Sequence, residues 1–361
     1  MRSSFTRRDF LNTAAVAGLT ALAAPTVVRA AEPVKRKIKV GQIGTGHAHA
    51  SKLAVYRRSP DYEVVGIVES DPELRGRAEK QAVYRDLPWM SAEQLLNISG
   101  LEAVLVETLV RDLLRAAEQC VEAGKHVHLD KPAGQSLMQY RRLLDSAAKQ
   151  KLPVQMGYMY RYSPAVVLLR QMLKDGWLGD IFEVHTVMSK VVPDGARREL
   201  AEFRGGMMFE LGCHVIDSVI GVLGRPERVQ SVARHSGSQQ DGLADNMLAL
   251  LEYPKATATV RSTGLEVDGG SRRHFVVCGT AGTFHIQPLD APQVKLTLDR
   301  DRGEYRKGAQ EVRFGRFDRY VADAADMARI LRGEKESDFP YSHDLAVQET
   351  VLLASGMPTD V

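Results

Sequence analysis

From residue 37 to residue 157 the chain alternates short apolar runs with helical segments, and this alternation restricts the fold more than any other feature. Runs at 37–43, 62–69, 101–106, 126–129 and 154–157 are rich in Val, Ile and Leu. Helical patterns at 47–58, 71–81 and 112–123 separate them. Continuous apolar runs of this length suit strands buried on both faces. Strands joined by helices form right-handed βαβ units and a parallel sheet. The helix ends carry signals of their own. Asp71-Pro72 pairs an N-cap with a proline at the first helical position, Ser91 and Gln94 fit a capping box, and Gly124 suits a left-handed helix end.

Beyond residue 157 the pattern changes. Ser163-Pro164 opens a helix reaching about residue 174. Strand-like segments follow at 181–190, 228–234, 246–253, 257–263, 274–279 and 282–286, interrupted by a helix near 208–223. Residues 300–308 read as a polar loop, and 317–331 and 343–354 as helices. Strands in succession predict a largely antiparallel sheet with helices on one face. The expected class is α/β. An N-terminal Rossmann dinucleotide-binding domain covers 36–157, and an α+β domain with a large, mostly antiparallel open-faced sheet covers 158–340. A C-terminal helix and tail occupy 341–361. A chain of 361 residues is too long for one core, which agrees with two domains.

Residues 1–30 read as an address. Thr6-Arg7-Arg8-Asp9-Phe10-Leu11 precedes an Ala-rich stretch and then Val28-Arg29-Ala30. This is the order of a twin-arginine signal peptide cleaved after about residue 30, and it predicts export to the periplasm by the twin-arginine machinery. That route carries folded proteins, so it predicts a tightly held cofactor. The formal charge is +3, and residues 1–30 hold four Arg against one Asp, also +3. The remainder is neutral, with no net attraction for nucleic acid or anionic lipid. No apolar run is long enough for a permanent membrane span. Cys120, Cys213 and Cys278 lack the spacing of a disulfide framework or a zinc site.

The first strand leads into Gly44-Thr45-Gly46-His47-Ala48-His49. Gly44 would permit a tight turn. Gly46 would let the backbone approach a pyrophosphate at the start of the next helix, with Thr45 and His47 beside it. His49 stands where a third glycine is common. Glu69, ending the second strand 23 residues after Gly46, is placed to bond ribose hydroxyls, which favours NAD. Arg75 and Arg77 leave NADP open. No third ligand joins His47 and His49, so no metal is expected.

Ala123-Gly124-Lys125-His126-Val127-His128-Leu129-Asp130-Lys131-Pro132 resembles the A-G-K-H-V-x-x-E-K-P signature of the glucose–fructose oxidoreductase and inositol dehydrogenase (Gfo/Idh/MocA) family. Residues 157–165, 176–181 and 279–283 support a similarity that runs along the whole mature chain. The resemblance implies that Lys131 lies beside the nicotinamide and the substrate hydroxyl, where an ammonium can donate to a developing carbonyl oxygen. It implies an unusual peptide bond at Pro132, and it places Thr108 and Asp130 near the cofactor.

Residues 205–217 resemble the family pattern G-G-G-x-x-x-D-x-x-x-H. His214 is then the general base, with Glu210 and Asp217 near enough on a helix to orient it or to bind a sugar hydroxyl. Tyr160 and Arg161 are candidate substrate contacts, and a structural ion pair is equally open for Arg161. Three departures stand out: Glu210 for aspartate, Asp130 for glutamate, and Glu107-Thr108-Leu109-Val110-Arg111-Asp112-Leu113 where T-P-N is common. The implied activity is NAD(P)-dependent oxidation or reduction of a secondary alcohol or ketone on a cyclic sugar or polyol, in a homodimer or homotetramer. Two alternatives stay open: an NAD-dependent glycosidase with transient oxidation, and a non-catalytic dinucleotide- or sugar-binding member.

Overall fold

The computed structural model describes residues 36–360, so the expected leader lies outside the described residues. Five strands form the first sheet: β1 (Ile38–Ile43), β2 (Tyr62–Val68), β3 (Leu101–Val106), β4 (His126–Leu129) and β5 (Val154–Met156). Their order is β2-β1-β3-β4-β5 and every neighbouring pair is parallel. The Rossmann-type sheet expected from the alternation is present. Leu101, Ala103, Val104, Leu105 and Val106 of β3 are all buried, as a central strand covered on both faces requires. The local signals also hold. Asp71 accepts from Glu73 N and Leu74 N at the start of the Pro72–Ala78 helix. Ser91 and Gln94 close a reciprocal capping box, and Gly124 sits at φ +70°.

Eight strands form the second sheet: β6 (Ile181–Val187), β7 (Arg228–Arg234), β8 (Asn246–Glu252), β9 (Thr257–Thr263), β10 (His274–Gly279), β11 (Gly282–Ile286), β12 (Gln293–Leu298) and β13 (Gly308–Arg313). The order is β13-β12-β11-β10-β6-β9-β8-β7. Only β6 and β9 pair in parallel; the other neighbours are antiparallel. The Cys213–Leu223 and Tyr341–Ala354 helices cover one face. β12 and β13 were not expected. β12 alternates buried Val294, Leu296 and Leu298 with exposed Gln293, Lys295 and Thr297, a half-buried period-two pattern. β13 is a largely exposed edge strand with almost no apolar signal.

The structure differs from the sequence reading in three further places. The segment 47–58 is not one helix: a 3₁₀ turn at Ala50–Lys52 precedes a short α-helix, Leu53–Arg58. The Leu137–Lys149 helix was missed. The boundary at 340 does not separate the cores, because the Val321–Leu331 helix packs Ala324, Met327 and Ala328 against Ile38, Val40 and Leu53 of the first unit. Tyr62 Oη donates to Ala324 O at 2.7 Å. The chain crosses back to finish the core it began with. No helix among the described residues is long and apolar enough to cross a membrane.

Candidate active site

The C-terminal end of β1 leads into the glycine turn. Gly44 has φ +91°, and a Cβ there would lie 2.4 Å from Thr108 N. Only glycine permits this approach between the β1 and β3 loops. Glu69 braces the turn: its carboxylate accepts from Thr45 N at 2.7 Å, Thr45 Oγ1 at 2.9 Å and Asp71 N at 3.0 Å.

Clefts lie on both sides. One of about 550 Å³ is lined by Glu69, Ser70, Arg75 and Thr108. The other, about 520 Å³, runs from Thr45, Gly46 and His47 past Leu109 to Glu210. Two such clefts, one on the glycine turn and one beside Glu69, suit the two halves of a dinucleotide. At Gly46 the added Cβ would meet the Leu109 and Leu74 side chains, so the altered loop presses leucine on the turn from one side.

Behind the turn lies a buried ionic cluster. Lys52 Nζ sits 2.7 Å from Asp130 Oδ2, 3.0 Å from Glu107 Oε1 and 2.9 Å from His128 Nε2. Asp130 also faces His47 Nδ1 and His49 Nδ1, each at 3.1 Å, and accepts from Lys131 N at 2.7 Å. Burial alone would neutralise Asp130, but His47 and Lys52 hold it well below the usual carboxylate range. Burial and the neighbouring Asp130 charge push Glu107 the other way, well above that range. The third ligand that the sequence did not show for His47 and His49 is therefore Asp130, with ligand atoms within 4.8 Å of one another. Lys52 and Lys131 already supply positive charge there, so the cluster is compensated without a cation.

Lys131 is 1% exposed and its bond to Pro132 is cis. Its ammonium donates to Glu210 O at 2.7 Å and lies 3.5 Å from Glu210 Oε1. Burial opposes its charge, but Glu210 raises its pKa, so it remains a donor at neutral pH. Burial likewise works against ionised Glu210, yet Lys131 and Lys190 bring that carboxyl down to about 2. Glu210 stands on a π-helical turn, Met208–Gly212, that runs into the Cys213–Leu223 helix. Such turns are common at functional sites. Gly206, at φ +46°, closes on the Ala244 carbonyl ahead of it, where a Cβ would lie 2.3 Å from the oxygen. His214, one turn on, packs 5.6 Å from the His49 ring and 5.6 Å from the Tyr160 ring. Burial and then the Lys131 charge drive its pKa well below normal.

Lys131, Glu210, His214, Asp130, His47 and the glycine turn thus come together. Arg161 and Asp217 do not join them as substrate contacts. Both are buried and bonded to each other: Arg161 Nη2 lies 2.6 Å from Asp217 Oδ1 and 2.5 Å from Asp344 Oδ1. His343 Nε2 adds a contact to Asp217 at 3.1 Å. The structural ion pair is the reading that holds for Arg161. Neither Glu210 nor Asp217 orients His214, because each is committed to a cation. Tyr160 walls His214, but its hydroxyl is spent on Asp290 at 2.5 Å.

Sequence reasoning missed Lys52, Lys190, Arg273, Asp290, Arg319 and Tyr320. Arg273 and Arg319 both bond Asp290. Tyr320, at φ +69°, lays its ring 5.3 Å from Lys52 Nζ and 5.7 Å from the His49 ring. No spacing rule links these positions to residue 131. Lys52, three residues after His49, carried the only local hint.

Comparison with known proteins agrees with this fold. Residues 38–158 match the family model described as "Oxidoreductase family, NAD-binding Rossmann fold", and 166–285 match the "GFO/IDH/MocA C-terminal domain". The Escherichia coli oxidoreductase YdgJ is 24% identical over 88% of this chain and 95% of its own length. The mouse trans-1,2-dihydrobenzene-1,2-diol dehydrogenase is 26% identical over 68% of this chain and 73% of its own. An oxidoreductase from Agrobacterium radiobacter, solved with NAD+, L-tartaric acid and magnesium, superposes with a TM-score of 0.75 at 16% identity. That match covers 88% of this chain and 94% of the other.

Proposed function

Since the chain belongs to the Gfo/Idh/MocA family of NAD-binding oxidoreductases, we propose that it oxidises or reduces a secondary alcohol or ketone on a cyclic sugar or polyol. One observation carries this reading. The Lys131 ammonium is buried and held charged by Glu210, which lines the cleft that starts at the glycine turn. A donor so placed favours the more negative oxygen of the transition state. Bound NAD supplies the hydride acceptor or donor. Lys131 grips the oxygen, Glu210 keeps Lys131 protonated, and a histidine must then take the hydroxyl proton. The mouse relative's name specifies a cyclic diol as substrate, which supports a ring-borne hydroxyl here.

We further propose that residues 1–30 direct twin-arginine export, so that NAD leaves the cytoplasm bound to the folded protein. Mass spectrometry of the native protein should find co-purifying NAD(H). A panel of cyclic sugars and polyols, followed at the nicotinamide absorbance, should then find substrates. Lys131→Ala should lower kcat by about 10²–10³-fold while NADH still binds. Unchanged turnover in that variant would remove the assignment. Glycoside cleavage without accumulation of NADH would move the reading to a redox-neutral cycle.

A further inference from the structure

We propose that the proton acceptor of this site is His49, oriented by Asp130 through Nδ1, with His214 packed beside it and taking no proton. The inference rests on the redox reading above and names the residue which that reading leaves unassigned.

The two imidazoles differ in what holds them. His49 Nδ1 lies 3.1 Å from Asp130 Oδ1. A carboxylate only accepts, so Nδ1 carries the hydrogen and Nε2 carries the lone pair. No hydrogen bond to Nε2 is found among the described residues, and the ring lies 5.6 Å from the His214 ring and 5.7 Å from the Tyr320 ring. Asp130 is itself immobilised by Lys52, His47 and the Lys131 backbone N–H. A base held by a buried carboxylate, which is in turn held by further bonds, has the orientation that proton transfer requires.

His214 has none of this. Its Nδ1 is buried without a partner, and its neighbours are the Tyr158 and Tyr160 ring edges and His49. The two acids nearest in sequence are committed elsewhere, Glu210 to Lys131 and Asp217 to Arg161. An imidazolium at 214 would stand beside the Lys131 ammonium with no bonded counter-ion, a costly arrangement. At 49 it would form against Asp130.

In the oxidising direction the alcohol carbon loses a hydride to C4 of NAD+. The O–H bond breaks, its proton goes to His49 Nε2, and its electron pair completes the C=O bond. The products are ketone, NADH and an imidazolium paired with Asp130; the imidazolium then returns its proton to solvent. The reverse direction uses the same proton.

Two measurements test this. The first needs no turnover. In histidine-¹⁵N NMR of the protein, assigned with His49→Gln, His49 should be the Nδ1–H tautomer at neutral pH. An Nε2–H tautomer would overturn the proposal, since that atom could not accept. The second is kinetic. His49→Ala should lower kcat/KM by about 10²–10⁴-fold, keep its affinity for NADH, and recover part of the loss with added imidazole. His214→Ala should lose less and gain nothing from imidazole. The opposite pattern, rescue at 214 and not at 49, overturns the proposal and leaves the redox function standing. Stoichiometric metal bound by wild type and lost in His49→Ala would also overturn it. A wild-type protein carrying NAD but inert towards every alcohol and ketone would instead sink the redox reading itself.

Discussion

Two buried ionic clusters sit within one molecule, and they differ in whether their charges are used up. In the first, Arg161 is bonded to Asp217 and Asp344, and His343 closes the remaining side of Asp217. Its charged groups satisfy one another, and what is left without a hydrogen-bond partner beside them is neutral, the Tyr140 and Tyr158 hydroxyls. In the second, around Asp130, Lys52 and Lys131, His214 Nδ1 is buried with no hydrogen-bond partner among the described residues, and Glu210 Oε2 has only the Lys190 ammonium at 3.5 Å. Desolvated groups left unsatisfied cost stability, so a fold keeps them where a ligand completes them. The saturated cluster ties helices together, whereas the unsaturated one lies at the end of the cleft beside the glycine turn. Both draw on residues adjacent in sequence. Tyr160 walls the open cluster and Arg161 anchors the closed one; His214 and Asp217 divide in the same way.

The comparison can be broken most directly at Arg161. Arg161→Met strands two buried carboxylates and should destabilise the protein by about 3–5 kcal/mol in urea denaturation. The protein that remains folded should keep the wild-type KM. A changed KM with unchanged stability would make the closed cluster part of the active site.

The border of the open cluster is Asp323, whose carboxyl burial pushes up to about 6 despite the attraction of Lys52. A carboxyl raised above its ordinary 3.8 contributes stability below about pH 4, and that contribution is lost as pH rises through 6. Asp323→Asn should therefore gain on the order of 1–3 kcal/mol at pH 8 and little at pH 4, read from denaturation midpoints.

At the cofactor side, Glu69→Gln keeps the shape but removes the charge that braces Thr45. NADH affinity by fluorescence titration should fall by about tenfold, with fold stability nearly kept. The smallest effect belongs to a site remote from both clusters. Ser91→Ala removes one half of a capping box and should cost about 1 kcal/mol, with no kinetic consequence.

Much of this molecule was legible in order along the chain. The five parallel strands, the Asp71 and Ser91 caps and the glycine turn follow from local rules, because each depends on neighbours within a few residues, while the Asp130-Lys131-Pro132 segment was picked out by its resemblance to a family signature. The short strand β13 was not legible, since an exposed edge strand has no apolar alternation to show. The Val321–Leu331 helix was placed on the wrong core, because its apolar stripe says that it packs and not on what.

The site divides along the same line. The amino-acid order alone pointed to the neighbourhood of the site: a glycine turn with two histidines after it, a lysine before proline, and a histidine on the helix after two glycines. Only the tertiary structure decided how they are paired. Asp130 went to His49 and Lys52, Glu210 to Lys131, and Asp217 to Arg161, across separations of 78, 79 and 56 residues for the last-named contact of each acid. Electrostatic partnership depends on distance and dielectric in space, which sequence spacing does not encode, so the roles of these acids became readable only once the chain had closed on itself.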